Sequence, residues 1–281
     1  MSILLALLSS VLWGAADFLG GTMSKTRRAT IVVATSQAFG LLSITVVAAV
    51  LGAFGDDPAY LPWALLSGLA GMVGLVSFYA ALASGTMGVV SPIAALGVVV
   101  PVLVGLATGE RPTVLQLVGI TIAICGVVLA SGPELSGRAG ARPLLLAAVA
   151  AVGFGVALLA IAKGSATSPL MTLVAMRCVS VVVLGAALGL AVLRGRMPAA
   201  ELRLDPRSLG LLAAVGVGDV AANLTFGIAS TKGLVSIVAV LGSLYPVMTV
   251  LLARVVHSER LGRAQTAGVA GALVGVVLIA A

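Results

Sequence analysis

The sequence predicts an all-α integral membrane protein with ten transmembrane helices, arranged as two inverted repeats of five helices each. Its composition is 60% hydrophobic and only 9% charged, whereas about a quarter of the residues in a soluble domain are charged. Too little polar surface remains to cover a water-soluble globule. Apolar segments of membrane-spanning length recur along the chain, and a short motif at the end of the first half returns at the end of the second.

The apolar segments are bounded by charged or turn-forming residues, and each is close to the roughly 20 residues that cross ~30 Å of hydrocarbon. The first starts near Met1, lacks a basic leader and continues too far for a cleaved signal, so we expect a retained membrane helix. The ten segments occupy residues 3–22, 30–54, 61–83, 87–108, 113–131, 143–162, 168–193, 208–230, 233–256 and 263–281.

The repeated motif occupies residues 110–130 and 259–279, at a constant offset of 149 residues. Both copies contain Glu-Arg, a glutamine, two glycines and Val-Val-Leu in the same positions. Trp13 and Phe154, each followed by glycine, correspond at an offset of 141, which indicates small insertions after an old duplication. Duplication in an apolar chain is typical of transporters built from two structural repeats.

The linker at residues 132–142 is rich in glycine, serine and proline, which predicts a joint between two units. It separates a first repeat at residues 1–131 from a second repeat at residues 143–281. Each unit contains five predicted spans. Because five is odd, the second unit must start from the opposite side of the membrane, which makes the repeats inverted.

The net charge of +7 lies mainly in the linkers. Twelve of the sixteen Lys and Arg residues follow the first, fifth, seventh and ninth segments, three lie on the opposite side, and Arg177 lies inside the seventh segment. The positive-inside rule then predicts a multi-pass protein of the cell (plasma or inner) membrane with both termini outside the cytoplasm. This charge pattern, without interleaved aromatic residues, indicates lipid headgroup contact and no nucleic-acid partner.

The sequence offers no material for a metal or cofactor site. Cys125 and Cys178 lie within apolar segments, so we expect two buried small hydrophobic side chains and no disulfide framework. His257 has no second ligand near it, and no phosphate-binding loop is present to couple the chain to ATP. No cofactor and no catalytic residue is therefore predicted.

Inserting a charged side chain near the bilayer centre costs at least about 2.5–3.5 kcal/mol of free energy, so such residues are usually functional or paired with one another. Asp219 lies in the middle of the eighth segment, and Asn223 follows it by one helical turn. Arg177 lies at a matching depth in the seventh segment, which predicts a contact with Asp219 or Asn223. This group either binds a carboxylate-bearing or polar substrate through the guanidinium, or forms a structural ion pair.

Other polar side chains within the spans complete the predicted substrate site. The Asp17 carboxyl either carries protons or reaches headgroup water near its helix end, and the nearby Trp13 either stacks on a substrate or packs. Polar groups in the second segment either line the cavity or bond between helices, and intramembrane tyrosines need hydrogen-bond partners. The predicted substrate-binding residues are Trp13, Asp17, Ser36, Gln37, Tyr79, Arg177, Asp219, Asn223 and Tyr245.

The remaining conspicuous residues have structural interpretations. Glu110 and Glu259 lie near helix ends, where we expect helix caps or headgroup contacts. Glycines of the tenth segment, such as Gly271 and Gly275, predict close helix packing within the chain, with a homodimer through that helix as the alternative. Three prolines remove backbone hydrogen bonds within the fourth and ninth helices, and the kinks predict hinges at opposite gates. They are Pro92, Pro101 and Pro246.

The chain resembles the drug/metabolite transporter superfamily in its ten-helix, EamA-type branch. The resemblance covers nearly the whole chain, and the order and doubling of the motifs carry it. They are Trp13-Gly14, Gly109-Glu110-Arg111, Tyr245-Pro246-Val247 and Ser258-Glu259-Arg260. The first half departs from it with Val98 at the position of Pro246, and Asp17 is not part of the broad family pattern.

The resemblance implies a secondary carrier for small metabolites, amino-acid-like or drug-like solutes, working by alternating access. Export is favoured over import, protons are the candidate coupling ion, and the protein is expected to be a monomer or homodimer in the lipid bilayer. One alternative is a non-transporting scaffold or receptor, which would have paired charges and a closed, dry interior. The less favoured alternative is a membrane-embedded enzyme, for which the nucleophile and base are missing.

Overall fold

The computed structural model describes residues 1–84, 87–130, 141–257 and 262–280. Every regular element in this part of the chain is a helix, as the sequence predicts. Short 3-10 turns join several of these helices. The α-helices are α1 (Ser2–Ser24), α2 (Ala29–Val50), α3 (Leu61–Ser84), α4 (Met87–Ala95), α5 (Val99–Ala107), α6 (Val114–Ala130), α7 (Ala141–Ser165), α8 (Pro169–Leu193), α9 (Pro206–Ser230), α10 (Val235–Gly242), α11 (Tyr245–His257) and α12 (Arg263–Ala280).

Six of these helices, α1, α2, α3, α7, α8 and α9, are long and apolar enough to cross a bilayer, and shorter apolar helices accompany them. Their outer surface carries exposed apolar side chains such as Leu145, Val182 and Val277. Such a surface fits lipid and not water. Cys125 and Cys178 also lie exposed on it, so the expectation that both are buried is wrong.

The fourth and ninth apolar segments are not continuous helices. A 3-10 turn at Leu96–Val98 separates α4 from α5, and α10 ends at Gly242 before α11 begins at Tyr245. Pro101 follows the first break and Pro246 the second, in agreement with helices interrupted near prolines. That these breaks act as hinges stays a prediction.

Each break packs against a glycine of the other half. A Cβ at Gly14 in α1 would lie 2.7 Å from the carbonyl oxygen of Tyr245. A Cβ at Gly155 in α7 would collide with the carbonyl oxygen of Gly97. Glycine therefore lets α1 and α7 approach the interrupted backbone closely. This explains in physical terms why the Trp13-Gly14 motif returns as Phe154-Gly155.

Helices α6 and α12, which contain the repeated motif, pack against each other. A Cβ at Gly119 would meet the carbonyl oxygen of Gly275, and one at Gly126 would meet the carbonyl oxygen of Gly268. Later residues of α6 thus face earlier residues of α12, so the two helices run antiparallel. The small-residue face of α12 therefore packs against α6, in agreement with close helix packing within the chain, and the alternative homodimer stays a prediction.

The remaining contacts pair the two halves reciprocally. Helix α1 packs on α9 as α7 packs on α3, and α2 packs on α9 as α8 packs on α3. On one end of the bundle, the guanidinium of Arg28 donates to Glu201 with its Nε at 2.6 Å from Oε2. This pair joins the loop after α1 to the loop after α8, which the charge count places on one membrane side. The predicted linker lies largely outside the described residues.

Candidate functional site

The carboxylate of Asp219 joins four helices in the interior of the bundle. Its Oδ2 accepts from Arg177 Nη2 at 2.7 Å and from Gln37 Nε2 at 3.4 Å. Its Oδ1 accepts from Asn223 Nδ2 at 3.0 Å and from Trp13 Nε1 at 3.2 Å. Side chains from α1, α2 and α8 thus converge on one residue of α9, which accounts for a charge placed in the middle of an apolar helix.

Arg177 belongs to this cluster. Its side chain is only 4% exposed, and its Nη1 also donates to Gln37 Oε1 in a short hydrogen bond. Of the two partners that depth alone allowed, the structure selects Asp219 for the arginine, while Asn223 bonds to Asp219 instead. Only the Nε of the guanidinium has no hydrogen-bond partner.

Asp17 lies apart from this cluster, on α1. Its side chain is buried, and the hydroxyl of Tyr79 donates to its Oδ1 at 3.3 Å. Gly20, one turn further along α1, makes room for the ring, because a Cβ there would collide with the tyrosine hydroxyl. Within the described part of the chain, no arginine, lysine or histidine forms an ion pair with Asp17. Its burial argues against the alternative in which the carboxyl reaches headgroup water, and proton carriage by this residue stays a prediction.

A partly open cavity lies beside these polar groups. Trp13, Asp17, Gln37, Arg177, Asp219, Asn223 and Tyr245 are the sequence-predicted residues that line it. The hydroxyl of Tyr245 has no hydrogen-bond partner there. Seven of the nine predicted residues therefore line the same cavity, and their role in binding stays a prediction.

The other two predicted residues lie outside the cavity lining. Tyr79 supports Asp17, as described above. Ser36 is buried, but its hydroxyl donates to Val33 O within its own helix, and its backbone carbonyl faces Gly216 of α9. It therefore contributes to close packing between α2 and α9. The ring of Trp13 lines the cavity and packs against Phe226 at 5.6 Å between centroids, and stacking on a substrate stays a prediction.

Sequence reasoning missed the apolar part of the lining, which includes Phe154, Leu158 and Leu75. Apolar residues in a membrane helix carry no signal of their own. The repeat offset supplies one, because Phe154 corresponds to Trp13 and Leu158 to Asp17 at 141 residues. The positions that correspond to the polar site residues in the other repeat could therefore have been predicted to line the cavity.

Glu110 caps a helix of the other half, in agreement with the cap predicted from its position. Its Oε1 accepts from the backbone N–H of Val235 at 2.7 Å, and its Oε2 accepts from that of Ser236 at 3.0 Å. These are the first two residues of α10. Glu259 lies outside the described residues. Among those described, no group of three or more His, Cys, Asp or Glu side chains is placed to hold a metal ion.

Comparisons with known proteins agree with this architecture. A crystal structure of another protein superposes on this chain with a TM-score of 0.75. The superposition covers 99% of this chain and 94% of the other chain, and the two sequences are 19% identical, so the likeness establishes similarity of fold alone. No curated protein matches the chain. The EamA-like transporter family matches residues 1–132 and 141–281 as two successive segments, which coincide with the two predicted repeats. Together with the apolar helices, this match identifies a multi-pass membrane protein that belongs to the EamA-like transporter family.

Proposed function

We propose that the protein is a secondary active carrier that moves a small metabolite or drug-like solute across the membrane by alternating access. The observation that carries this proposal is the cavity itself, which three buried or half-buried charged side chains line. They are Asp17, Arg177 and Asp219. Intramembrane ionisable groups beside a cavity mark substrate or ion pathways in membrane proteins.

The carrier works as ten spans in two inverted repeats. The antiparallel packing of α6 on α12, and the reciprocal packing of α1 on α9 and α7 on α3, support this arrangement. The fourth span consists of α4 and α5, and the ninth of α10 and α11. The breaks within these two spans are where one repeat rocks against the other, because an interrupted helix bends at lower cost than a continuous one.

The scaffold alternative requires paired charges and a closed interior. Arg177 and Asp219 are indeed paired, but the cavity reaches both of them and also Asp17, which has no cationic partner in the described ranges. Structural stability gains nothing from such a carboxyl, since an unpaired acid in an apolar interior is costly. Transport explains it and a scaffold does not.

Counterflow in proteoliposomes tests the proposed function. Vesicles containing the full-length protein and loaded with one unlabelled solute should accumulate the same labelled solute from outside. The screen covers amino acids, sugars, nucleosides and lipophilic cations. Exchange above protein-free vesicles for one class supports a carrier. Failure of every class, with correctly folded protein, contradicts it.

Proton coupling is the second part of the proposal, with Asp17 or Asp219 as the proton-carrying group. We expect Asp17→Asn or Asp219→Asn to abolish uptake driven by an imposed pH gradient, and thermal unfolding in detergent establishes that the variant being measured is still folded. Asp56→Asn, in an exposed loop, serves as the control and should behave like the wild type. If neither membrane variant changes pH-driven uptake, the coupling proposal is wrong. Export is the proposed direction, tested by comparing right-side-out with inverted membrane vesicles.

A further inference from the structure

Residues that correspond between the two repeats line the same cavity. At the offset of 141, Trp13 corresponds to Phe154 and Asp17 to Leu158. At the offset of 148 that relates Phe78 to Phe226, Asp219 corresponds to Gly71 and Asn223 to Leu75. All eight of these residues line the cavity. The cavity therefore lies at the interface of the repeats, where carriers of this architecture place their cargo.

Every one of these pairs combines a polar residue with an apolar one. The polar members, Asp17, Asp219, Asn223 and the indole N–H of Trp13, come from α1 and α9. The apolar members come from α3 and α7, and they include Leu75, Phe154 and Leu158. Divergence of the two repeats has thus given one cavity a polar part of its lining, from α1 and α9, and an apolar part, from α3 and α7; these are called the polar wall and the apolar wall below.

The charge on the polar wall is unbalanced. Arg177 pairs with Asp219 at 2.7 Å, so their two charges offset each other. Among the described residues, the hydroxyl of Tyr79 is the hydrogen-bond partner of the Asp17 carboxyl, and no cationic side chain pairs with it. With its carboxylates ionised, the lining carries a net charge of −1, and a cationic head group offsets it. An anionic cargo would add to this unbalanced negative charge.

We propose that the cargo is an amphipathic monoamine, whose apolar body lies against Leu75, Phe154 and Leu158 and whose ammonium group pairs with Asp17. The inference rests on the proposed carrier function, because the cavity must admit a solute. This cargo differs from the carboxylate-bearing substrate that the sequence suggested for Arg177, because the guanidinium of Arg177 already pairs with the carboxylate of Asp219. The unpartnered hydroxyl of Tyr245 supplies a further hydrogen-bonding group for the cargo's polar end.

A matched series of ligands with one apolar body tests this cargo class. Isothermal titration calorimetry measures binding of 2-phenylethylamine, 2-phenylethanol and 3-phenylpropionate to the full chain in phosphatidylcholine nanodiscs, with empty nanodiscs subtracted. We expect the amine to bind at least about tenfold more tightly than the alcohol or the acid, because a desolvated charge pair distinguishes it. Equal binding of amine and alcohol, or tightest binding of the acid, overturns the proposal.

Variants of Asp17 locate the ammonium group. Asp17→Asn should weaken amine binding at least about tenfold while changing affinity for the neutral alcohol much less, and Asp17→Glu should restore most of the amine affinity. An Asp17→Asn protein that binds the amine like the wild type overturns the assignment. Asp56→Asn is the control, and thermal unfolding in detergent confirms that each variant is folded.

A variant of the apolar wall tests the orientation of the cargo. Leu158→Asn should weaken binding of the amine and the alcohol by a similar factor, since both lose the same contact of the phenyl ring with the wall. Unchanged affinities would remove the apolar wall from the proposal. Counterflow keeps the two hypotheses apart. Exchange of solutes other than amines, without amine binding, overturns the cargo class and leaves the carrier function standing.

Discussion

At the scale of single residues, the ion pair between Arg177 and Asp219 dominates the interior. Arg177 is buried and Asp219 is partly buried, and Gln37, Asn223 and Trp13 stabilise the pair with further hydrogen bonds. Replacing one partner of such a pair leaves the other charge buried and alone, which costs more than the pair itself contributes. Single and double substitutions should therefore not be additive.

We predict that Asp219→Asn lowers the free energy of unfolding by about 3 kcal/mol or more, and that adding Arg177→Gln restores a substantial part of it. The physical reason is that the double variant removes both charges from the interior. Thermal unfolding in detergent measures the effect. The control is Arg28→Gln on the exposed pair with Glu201, which should change stability by less than about 1 kcal/mol. Additive effects at 177 and 219 would contradict a coupled buried pair.

At the scale of elements, the broken helices are held by contacts that cross between the repeats. Glu110, which follows α5, supplies both of its carboxylate oxygens to the first turn of α10. The backbone N–H groups at a helix start lack partners within the helix, and a carboxylate also suits the positive end of its dipole. The most recognisable residue of the repeated motif thus stabilises the start of a broken span and does not enter the cavity.

Replacing Glu110 with alanine should destabilise the start of α10 by about 1–2 kcal/mol, because two N–H groups lose their acceptor. Hydrogen exchange by mass spectrometry in nanodiscs should show faster exchange in the peptide that contains Val235 and Ser236. Arg111→Gln, at the exposed neighbouring position, should leave that exchange unchanged. The cap has no energetic role if both variants exchange like the wild type.

At the scale of the whole molecule, the two copies of the repeated motif form an antiparallel seam between α6 and α12. Its glycines bring the backbones into contact, so added side chains have no space. By contrast, Gly185 and Gly189 on α8 face open space, where a Cβ would meet nothing within 4 Å. Glycines that look equivalent in an apolar sequence therefore differ in whether a larger side chain can replace them.

We predict that Gly275→Val destabilises the protein by about 1–3 kcal/mol through overpacking, because a Cβ there would lie 2.7 Å from the backbone nitrogen of Ala123. Gly189→Val, with the same change in helix propensity, should have a far smaller effect. Thermal unfolding in detergent compares the two. Equal losses would mean that the seam does not control stability.

The orientation in the membrane gives a further prediction. In a background with Cys125 and Cys178 replaced by alanine, Asp56→Cys and Thr231→Cys should react with a membrane-impermeant thiol reagent in intact cells. Thr26→Cys should react only after the membrane is opened, because basic loops remain in the cytoplasm. All three positions are exposed, so accessibility reports the side of the membrane. The reverse pattern would place both termini in the cytoplasm.

The local sequence pattern, together with the position of each residue within its apolar segment, predicted the helices and most of the polar residues that line the cavity. Apolar segment lengths predicted the helices, proline positions predicted the interrupted ones, and the rarity of charge in lipid drew attention to Asp17, Arg177 and Asp219. The same reasoning failed at Ser36 and at the two cysteines. Depth in a helix does not say which face a residue occupies, and a nearly uniform apolar helix has no strong amphipathic pattern to reveal it.

By itself, the sequence determined that the chain is a helical membrane protein made of a repeated unit. The length of each apolar segment sets whether it can cross the bilayer, and a duplication leaves the same motif twice, so both features can be recognised along the chain. Only the tertiary structure decided which side chains meet. It pairs Arg177 with Asp219, bonds the hydroxyl of Tyr79 to Asp17, and places Leu158 in the lining of the same cavity as Asp17. Rotation and packing of helices bring together residues more than a hundred positions apart, and those contacts have no signature along the chain.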